Sequence, residues 1–122
     1  METRRYRTIV RGRFRDLDEE RQTALVADAA GHDALKAAFT GEGTLTYDRT
    51  LKFFAFRYEF DVTGENAADC DLEAELVAED RAIGDLAARE ITHGPLTVSW
   101  TCMSEMRTER RKAPKRPKAA AS

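Results

Sequence analysis

The stretch LKFFAFRYEFDV, residues 51–62, places aromatic rings at every second position. Such alternation is typical of a β-strand that buries one of its two faces. A shorter strand-prone stretch, TLTY at residues 44–47, precedes it, and three polar residues at 48–50 separate the two. The pair predicts an antiparallel hairpin in the middle of the chain. The aromatic residues predicted to face the core are Phe54, Phe56, Tyr58 and Phe60.

On each side of this hairpin, the chain is predicted to form a helix, with a further strand beyond it. Residues 5–14 alternate in the same way and form the first predicted strand. Residues 96–103 form the last one, with Leu96, Val98, Trp100 and Cys102 on one face. In the first strand the predicted core set is Tyr6, Thr8, Val10, Gly12 and Phe14, and the opposite set is Arg5, Arg7, Ile9, Arg11 and Arg13.

The two helices are predicted from capping residues and apolar spacing. Asp16 is the expected N-cap of the first helix, with Glu19 three positions later completing a capping box. The second helix is expected to begin at Asn66 or Asp69, with a solvated acidic face that includes Asp85. The predicted buried residues are Leu25, Val26 and Ala29 in the first helix, and Leu72, Leu76, Val77, Ile83 and Leu86 in the second.

The resulting order, β-α-β-β-α-β, predicts an α+β protein with the ferredoxin-like, or split βαβ, arrangement. In this arrangement a four-stranded antiparallel sheet carries two helices on one face and leaves the other face open. We expect this domain to span residues 4–106, with strands one and three as central neighbours. The open face is therefore where the sequence places a ligand, a partner or a second copy.

Length and composition predict one soluble domain. The chain has 122 residues, 42% hydrophobic and 34% charged, which is typical of a globular protein with a single core. No apolar stretch approaches the roughly 20 residues of a membrane span, and the start METRRY has no apolar signal region. A cytoplasmic protein is expected. Cys70 and Cys102 have neither zinc nor disulfide spacing and are predicted to be free thiols.

The charge is divided unevenly along the chain. Residues 1–106 hold 13 basic and 21 acidic residues, whereas residues 107–122 hold seven basic residues and one Glu. The tail has two prolines and no large apolar residue, so a disordered basic tail is predicted for residues 107–122. Nucleic-acid binding is not expected, because the body is acidic and the tail lacks aromatic residues for base stacking. A solubilising extension and a loose cover over the acidic helices are the alternatives.

The candidate site lies on the open sheet face. Arg57 and Glu59 on strand three are predicted neighbours of the first strand's arginines, and the last strand adds hydroxyl groups. Guanidinium and hydroxyl groups on one face can orient an anionic or carbonyl-bearing ligand. The alternative is a merely solvated face on which Arg57 and Glu59 pair with cross-strand charges. The predicted ligand-binding residues are Arg7, Arg11, Ser99 and Thr101.

A second copy could close this face. Many proteins of this topology pair sheet to sheet as dimeric α+β barrels, and a homodimer is the expected assembly here by that analogy. Arg57 and Glu59 would then be interior groups suited to acid and base chemistry. His32, beside Asp33, is the third predicted catalytic residue, and loop capping or placement on the surface is the alternative. No metal spacing or cofactor motif is present, so neither a metal nor a cofactor is predicted.

Several short motifs together resemble a family of small actinobacterial proteins known only as a domain of unknown function. The resemblance covers most of residues 5–106. It implies an intracellular bacterial protein of the same fold and brings no catalytic residues with it. The motifs are GRF at 12–14, HD at 32–33, FTGEG at 39–43, TYD at 46–48 and FAFR at 54–57.

The predicted function is small-molecule binding, on the open sheet face or in a cavity between two subunits. The residues of this site are compatible with a binding protein and with an enzyme. If the protein is an enzyme, cofactor-free chemistry of a cyclase-like or monooxygenase-like kind in bacterial metabolism fits a site of Arg, Glu, His and hydroxyl groups. The alternative is a non-enzymatic interaction module that binds a protein or a nucleic acid through the sheet face or the basic tail.

Overall fold

The computed structural model describes residues 1–105, and the predicted basic tail lies outside these residues. The elements follow the predicted order, with short 3-10 turns between α1 and β2 and after β4. The strands are β1 (Glu2–Arg13), β2 (Thr44–Tyr47), β3 (Phe53–Gly64) and β4 (Thr97–Cys102); the helices are α1 (Glu19–Asp28) and α2 (Ala67–Ala88). The 3-10 turns span Ala29–His32, Ala34–Lys36 and Met103–Glu105.

The four strands form one antiparallel sheet in the order β2-β3-β1-β4. β1 and β3 are the central pair, and their register runs from Glu2 opposite Gly64 to Arg13 opposite Phe53. This topology confirms the α+β class and is that of the ferredoxin-like fold. It follows that the residues of β1 and β3 that face away from the helices share the middle of the open face.

The core lies between the sheet and the helices, and the strand alternation predicts it well. Tyr6 and Val10 on β1, and Phe56 and Tyr58 on β3, are almost completely buried. Burying one such side chain contributes about 1.5–3 kcal/mol to stability. The predicted period of two therefore identifies the helix-covered face of both central strands correctly.

The buried side of α2 differs from the predicted one. Leu72, Leu76 and Ile83 are exposed, and the prediction that they form the core stripe is wrong. Small residues face the sheet instead, because the large rings of β1 and β3 already fill the space and the helix must approach closely. The buried residues of α2 are Cys70, Ala74, Ala78, Ala82 and Leu86.

The start and the buried side of α1 also differ from expectation. Asp18 is the N-cap, and its side chain accepts a 2.7 Å hydrogen bond from the Arg21 backbone amide. Asp16, the predicted cap, lies two residues earlier with a left-handed φ of 56°. Leu25 and Ala29 are buried as predicted, whereas Val26 is 36% exposed. Leu25 is therefore the buried residue of this short helix.

Two tyrosines of the sheet anchor α2 through its carboxylates. The Tyr6 hydroxyl donates to Asp71 near the start of the helix, and the Tyr58 hydroxyl donates to Asp85 near its end at 2.6 Å. Burial, together with these acceptors, raises the pKa of both phenols. Asp85 is thus bound to the sheet. The prediction that it belongs to a solvated face is wrong. At the N-terminal end, Asn66 caps the helix by accepting from the Asp69 amide.

Both cysteines are buried free thiols, as predicted. Burial raises the pKa of the Cys70 thiol. Within residues 1–105 no helix is long and apolar enough to cross a membrane.

Candidate functional site

The open face of the sheet carries an unusually basic row of side chains. β1 presents an arginine at each of positions 5, 7, 11 and 13, and β3 adds Arg57. The register places Arg7 opposite Glu59 and Ile9 opposite Arg57. This face has two halves that differ in charge, because carboxylates pair with the arginines of only one half.

The neutral half consists of Arg5, Arg7, Glu59 and Asp61. The Arg5 guanidinium donates from Nε to Glu59 at 2.6 Å and from Nη1 to Asp61 at 3.0 Å. Arg7 Nε donates to the other oxygen of Glu59 at 3.0 Å, and its guanidinium lies 5.1 Å from the centre of the Phe39 ring. Two cations and two carboxylates therefore compensate one another across β1 and β3.

Glu59 is held as a carboxylate by this arrangement. Its side chain is only 18% exposed and accepts hydrogen bonds from two arginines. The Arg5 hydrogen bond, and then that from Arg7, lowers the pKa of Glu59 below its usual value. A carboxylate with a lowered pKa is a weak base, so this geometry suits the positioning of Arg7 better than proton abstraction.

The cationic half consists of Arg11, Arg13 and Arg57. Arg57 is half-buried and donates from Nη1 to the Thr46 hydroxyl at 3.0 Å. Arg13 lies over the exposed Phe53 ring, 5.2 Å from its centre. Among residues 1–105 none of these three arginines has a carboxylate partner. Arg11 and Arg13 are same-face neighbours about 7 Å apart on β1, and Arg57 lies on β3 opposite Ile9, diagonal to Arg11.

The predicted hydroxyl residues lie on the outer strand of the same face. In the register of β4 with β1, Ser99 is opposite Ile9 and Thr101 is opposite Arg7. Ser99 is exposed beside the cationic half, whereas Thr101 borders the neutral half. Five of the predicted residues are therefore brought together on this face with Arg57, namely Arg7, Arg11, Glu59, Ser99 and Thr101.

His32 lies apart from these residues, at the outer edge of β2. Its Nδ1 is 3.0 Å from the backbone oxygen of Leu45, and its ring stacks on Tyr47 with 5.1 Å between centres. A side chain that bonds the free carbonyl of an edge strand protects that edge from pairing. The structure thus gives His32 a capping contact and does not bring it to the sheet face.

Two surface cavities lie near the turn between β2 and β3. One, of about 650 Å³, is bordered by Phe14, Leu17 and Leu51, and the other, of about 470 Å³, by Tyr47, Thr46 and Phe53. Arg49 borders both. None of the predicted site residues lines either cavity, but the smaller cavity includes Thr46, which accepts from Arg57, and Phe53, which lies under Arg13, so it adjoins the sheet-face arginines.

Three members of the site were not singled out from the sequence. The strand alternation that places Arg11 on the open face also places Arg13 there. That Arg13 lies opposite Phe53 can be known only from the register of β1 with β3. Thr46 reaches Arg57 only because β2 pairs with β3. Phe39 lies in the segment before β2, where the Thr40 backbone oxygen accepts from the Glu59 amide, and its stacking on Arg7 has no local signal in the sequence.

The chemistry that this face supports is recognition of negative charge. Guanidinium groups bind carboxylates and phosphates through two parallel hydrogen bonds, and Arg57 and Arg11 are placed for such contacts. In the part of the chain that the structure describes, no three His, Cys, Asp or Glu side chains are grouped so that they could hold a metal ion.

Comparison with known proteins gives a family without an assigned activity. No curated protein and no solved structure shows significant similarity to this chain. The model of a family described as "family of unknown function (DUF6204)" matches residues 1–114. The chain therefore belongs to this family of unknown function.

Proposed function

We propose that this protein binds a small organic anion on the cationic half of its open sheet face. The observation that carries the proposal is the charge difference between the two halves. Arg5 and Arg7 have carboxylate partners, whereas Arg11, Arg13 and Arg57 have none among the described residues. Arg11 neighbours Arg13 along β1 and Arg57 diagonally across to β3, and a bound carboxylate or phosphate would offset the positive charge of these groups.

The surroundings favour a ligand that also has a flat apolar part. Phe53 is 60% exposed beside Arg13, and the half-buried Ile9 lies opposite Arg57. An exposed aromatic ring next to cations can stack on an aromatic ligand while the arginines hold its acidic group. An aromatic carboxylate or phosphate therefore fits this surface better than a bare inorganic anion.

The proposal includes a homodimer. A ligand lying on one open sheet would stay largely in water, whereas small-molecule sites bury about 70–90% of their ligand. A second copy that covers the same face would supply the missing wall, in the manner of dimeric α+β barrels, with the bound anions lying between the arginines of the two copies and offsetting their charge. A cytoplasmic location in an actinobacterium, as the resemblance implies, belongs to the same proposal.

Cofactor-free catalysis of a cyclase-like or monooxygenase-like kind stays a prediction. In that case Arg57 would polarise a carbonyl of the ligand, and Glu59 and His32 are the predicted acid–base residues. The contacts of Glu59 with Arg5 and Arg7 support a positioning role for this residue. Arg57 is thus the residue on which binding and any chemistry both depend.

The test is ligand binding by the full chain and two variants. Benzoate, salicylate and phenyl phosphate serve as probes, and isothermal calorimetry with amide NMR shifts measures binding. We expect Arg57→Gln to weaken binding at least about tenfold, because a charge-assisted hydrogen bond contributes about 1.5–3 kcal/mol.

Arg49→Gln is the matched control, because Arg49 is an exposed arginine that borders the two cavities and lies off the sheet face. It should leave binding unchanged. If Arg49→Gln weakens binding and Arg57→Gln does not, the ligand occupies a cavity, and the proposed site is wrong.

An interaction module is the second candidate. The exposed Phe53 ring next to Arg13 is the kind of contact on which a nucleic-acid base can stack. The same variants can be tested with a fluorescent single-stranded oligonucleotide. Binding that is lost in Arg57→Gln and falls steeply with salt, without any binding of small anions, would favour this candidate.

A further inference from the structure

The outward side of α2 has the features of a covered surface, yet no described element lies on it. We call it the outer stripe, and it combines three aliphatic with three acidic side chains. At about 100° per residue, these six residues fall within an arc of roughly 120° on one side of the helix. The outer stripe consists of Leu72, Glu73, Leu76, Glu79, Asp80 and Ile83.

The apolar members are unusually exposed. Leu72, Leu76 and Ile83 expose 59%, 52% and 47% of their surface, and they lie close together along three turns of the helix. A single exposed leucine needs no explanation, but a contiguous row of aliphatic side chains on one helix is typical of a contact surface.

The acidic members have no cationic partner among the described residues. In residues 1–105, Glu73, Glu79 and Asp80 have neither an ion pair nor a side-chain hydrogen bond. Other carboxylates of α2 do have partners, as Asp85 accepts from Tyr58 and Glu75 accepts from the Trp100 indole at 3.0 Å. The charge of the outer stripe therefore favours a basic binding segment. Pairing with the same stripe of a second copy is disfavoured, because it would bring like charges together.

The chain leaves the described residues beside the start of α2. Cys102, at the end of β4, pairs with Tyr6, whose hydroxyl donates to Asp71 in the first turns of the helix. The Ser104 hydroxyl then accepts from the Arg5 backbone amide. From this point an extended segment of 16 residues can reach about 50 Å, whereas α2 is about 33 Å long.

We propose that residues 107–122 of the same chain dock on the outer stripe of α2. This segment holds seven basic residues and one Glu, so its charge complements that of the three carboxylates. The aliphatic stems of its lysines and arginines can lie over the exposed leucines while their charged ends meet the acidic side chains. Each of these contacts is weak. The segment is tethered to the domain, however, so its high effective concentration allows it to bind with little intrinsic affinity.

The first test is carbodiimide cross-linking of the full-length chain. The reagent joins a lysine amine to a carboxylate when they are in contact, and the tail offers Lys112, Lys115 and Lys118. We expect cross-links from these lysines to Glu73, Glu79 and Asp80 at 50 mM NaCl, with a yield several-fold lower at 500 mM because salt screens exposed charges.

Mixing ¹⁴N- and ¹⁵N-labelled protein identifies the occupant. Cross-linked peptides of one isotope only support docking within a chain. Peptides of mixed isotope would show that the tail of a second copy binds there, and the proposal would be wrong. Cross-links that map equally to Glu19 and Glu20 of α1 would overturn it as well, since they would reflect unspecific attraction.

The second test uses charge-neutral variants and the tail amides as the NMR readout. Glu73→Gln, Glu79→Gln and Asp80→Asn combined should move the amide signals of residues 107–122 to the positions that the wild type shows at high salt. The matched control neutralises the same number of charges on α1.

That control combines Glu19→Gln, Glu20→Gln and Asp28→Asn and should leave the tail signals in place. All six positions are on exposed or half-exposed helix surface, so both variants are expected to fold. Tail signals that respond to neither variant would contradict the proposal.

Discussion

Glu59 shows how one carboxylate can hold two arginines on the open sheet face. Both of its oxygens accept from arginines, and the lowered pKa records that the folded state favours its ionised form. The unfolded chain lacks these two hydrogen bonds. Stability must therefore depend on pH in the range where an unperturbed glutamate takes up a proton.

We expect the free energy of unfolding to fall as the pH drops below about 4.5, the ordinary range for glutamate. There the unfolded state binds the proton more readily than the native state, because the folded pKa is the lower one. Glu59→Gln should lower stability at neutral pH and flatten this acid dependence. Urea unfolding at pH 3–7 measures both effects.

Glu65→Gln is the control for this experiment, because Glu65 is exposed and has no ion pair within the described chain. It should leave the acid dependence as it is in the wild type. An unchanged pH profile in Glu59→Gln would mean that the contacts with Arg5 and Arg7 do not persist in solution.

At the scale of elements, α2 lies so close to the sheet that only small side chains fit between them. Ala74, Ala78 and Ala82 are completely buried between α2 and the sheet, while Leu72 and Leu76 of the same helix are exposed. Volume, and not hydrophobicity, thus decides which side of this helix faces the core.

We expect Ala78→Leu to destabilise the protein by about 1–3 kcal/mol, because the larger side chain must push the helix away from the sheet. By contrast, Leu76→Ala should change stability by no more than about 0.5 kcal/mol, since Leu76 is exposed. Urea unfolding of both variants measures the difference. A larger loss for Leu76→Ala than for Ala78→Leu would contradict the observed orientation of α2.

At the scale of the whole molecule, uncompensated positive and negative charges lie on opposite sides of the domain. The cationic half of the open sheet face lies on one side of the domain, and the acidic outer stripe of α2 lies on the other. In the two proposals, an anion binds on the first of these surfaces and the basic segment of the same chain on the second. The proposed dimer uses the first of these surfaces and leaves the second accessible.

Sedimentation analysis of the full chain tests the proposed dimer. We expect a mass twice that of the 13.7 kDa chain. Phe53→Lys should shift the equilibrium toward the monomer, because it replaces an exposed ring beside Arg13 by a further positive charge on the sheet face. Lys36→Glu is the control at an exposed position in a 3-10 turn. A wild-type chain that sediments as a monomer at high micromolar concentration would contradict the homodimer.

Much of the candidate site was accessible from the sequence because strand alternation is a local property. The period of two assigned Arg7, Arg11 and Arg57 to one face and Tyr6 and Tyr58 to the other, and the structure agrees. The order of the elements then predicted which strands are central. Neither inference requires knowledge of how any particular pair of side chains meets.

Other features depend on contacts between distant residues, and only the tertiary structure decided them. Glu59 pairs with Arg5 because the register of β1 with β3 brings them together, and His32 meets Leu45 only where the chain passes the edge of β2. The side of α2 that is buried depends on the space that the sheet leaves free, so alanines lie where the sequence predicts Leu72, Leu76 and Ile83. The sequence by itself determined the order of the elements and the faces of the strands, since these follow from local periodicity. Charge pairing and helix orientation followed from packing between segments far apart in the chain.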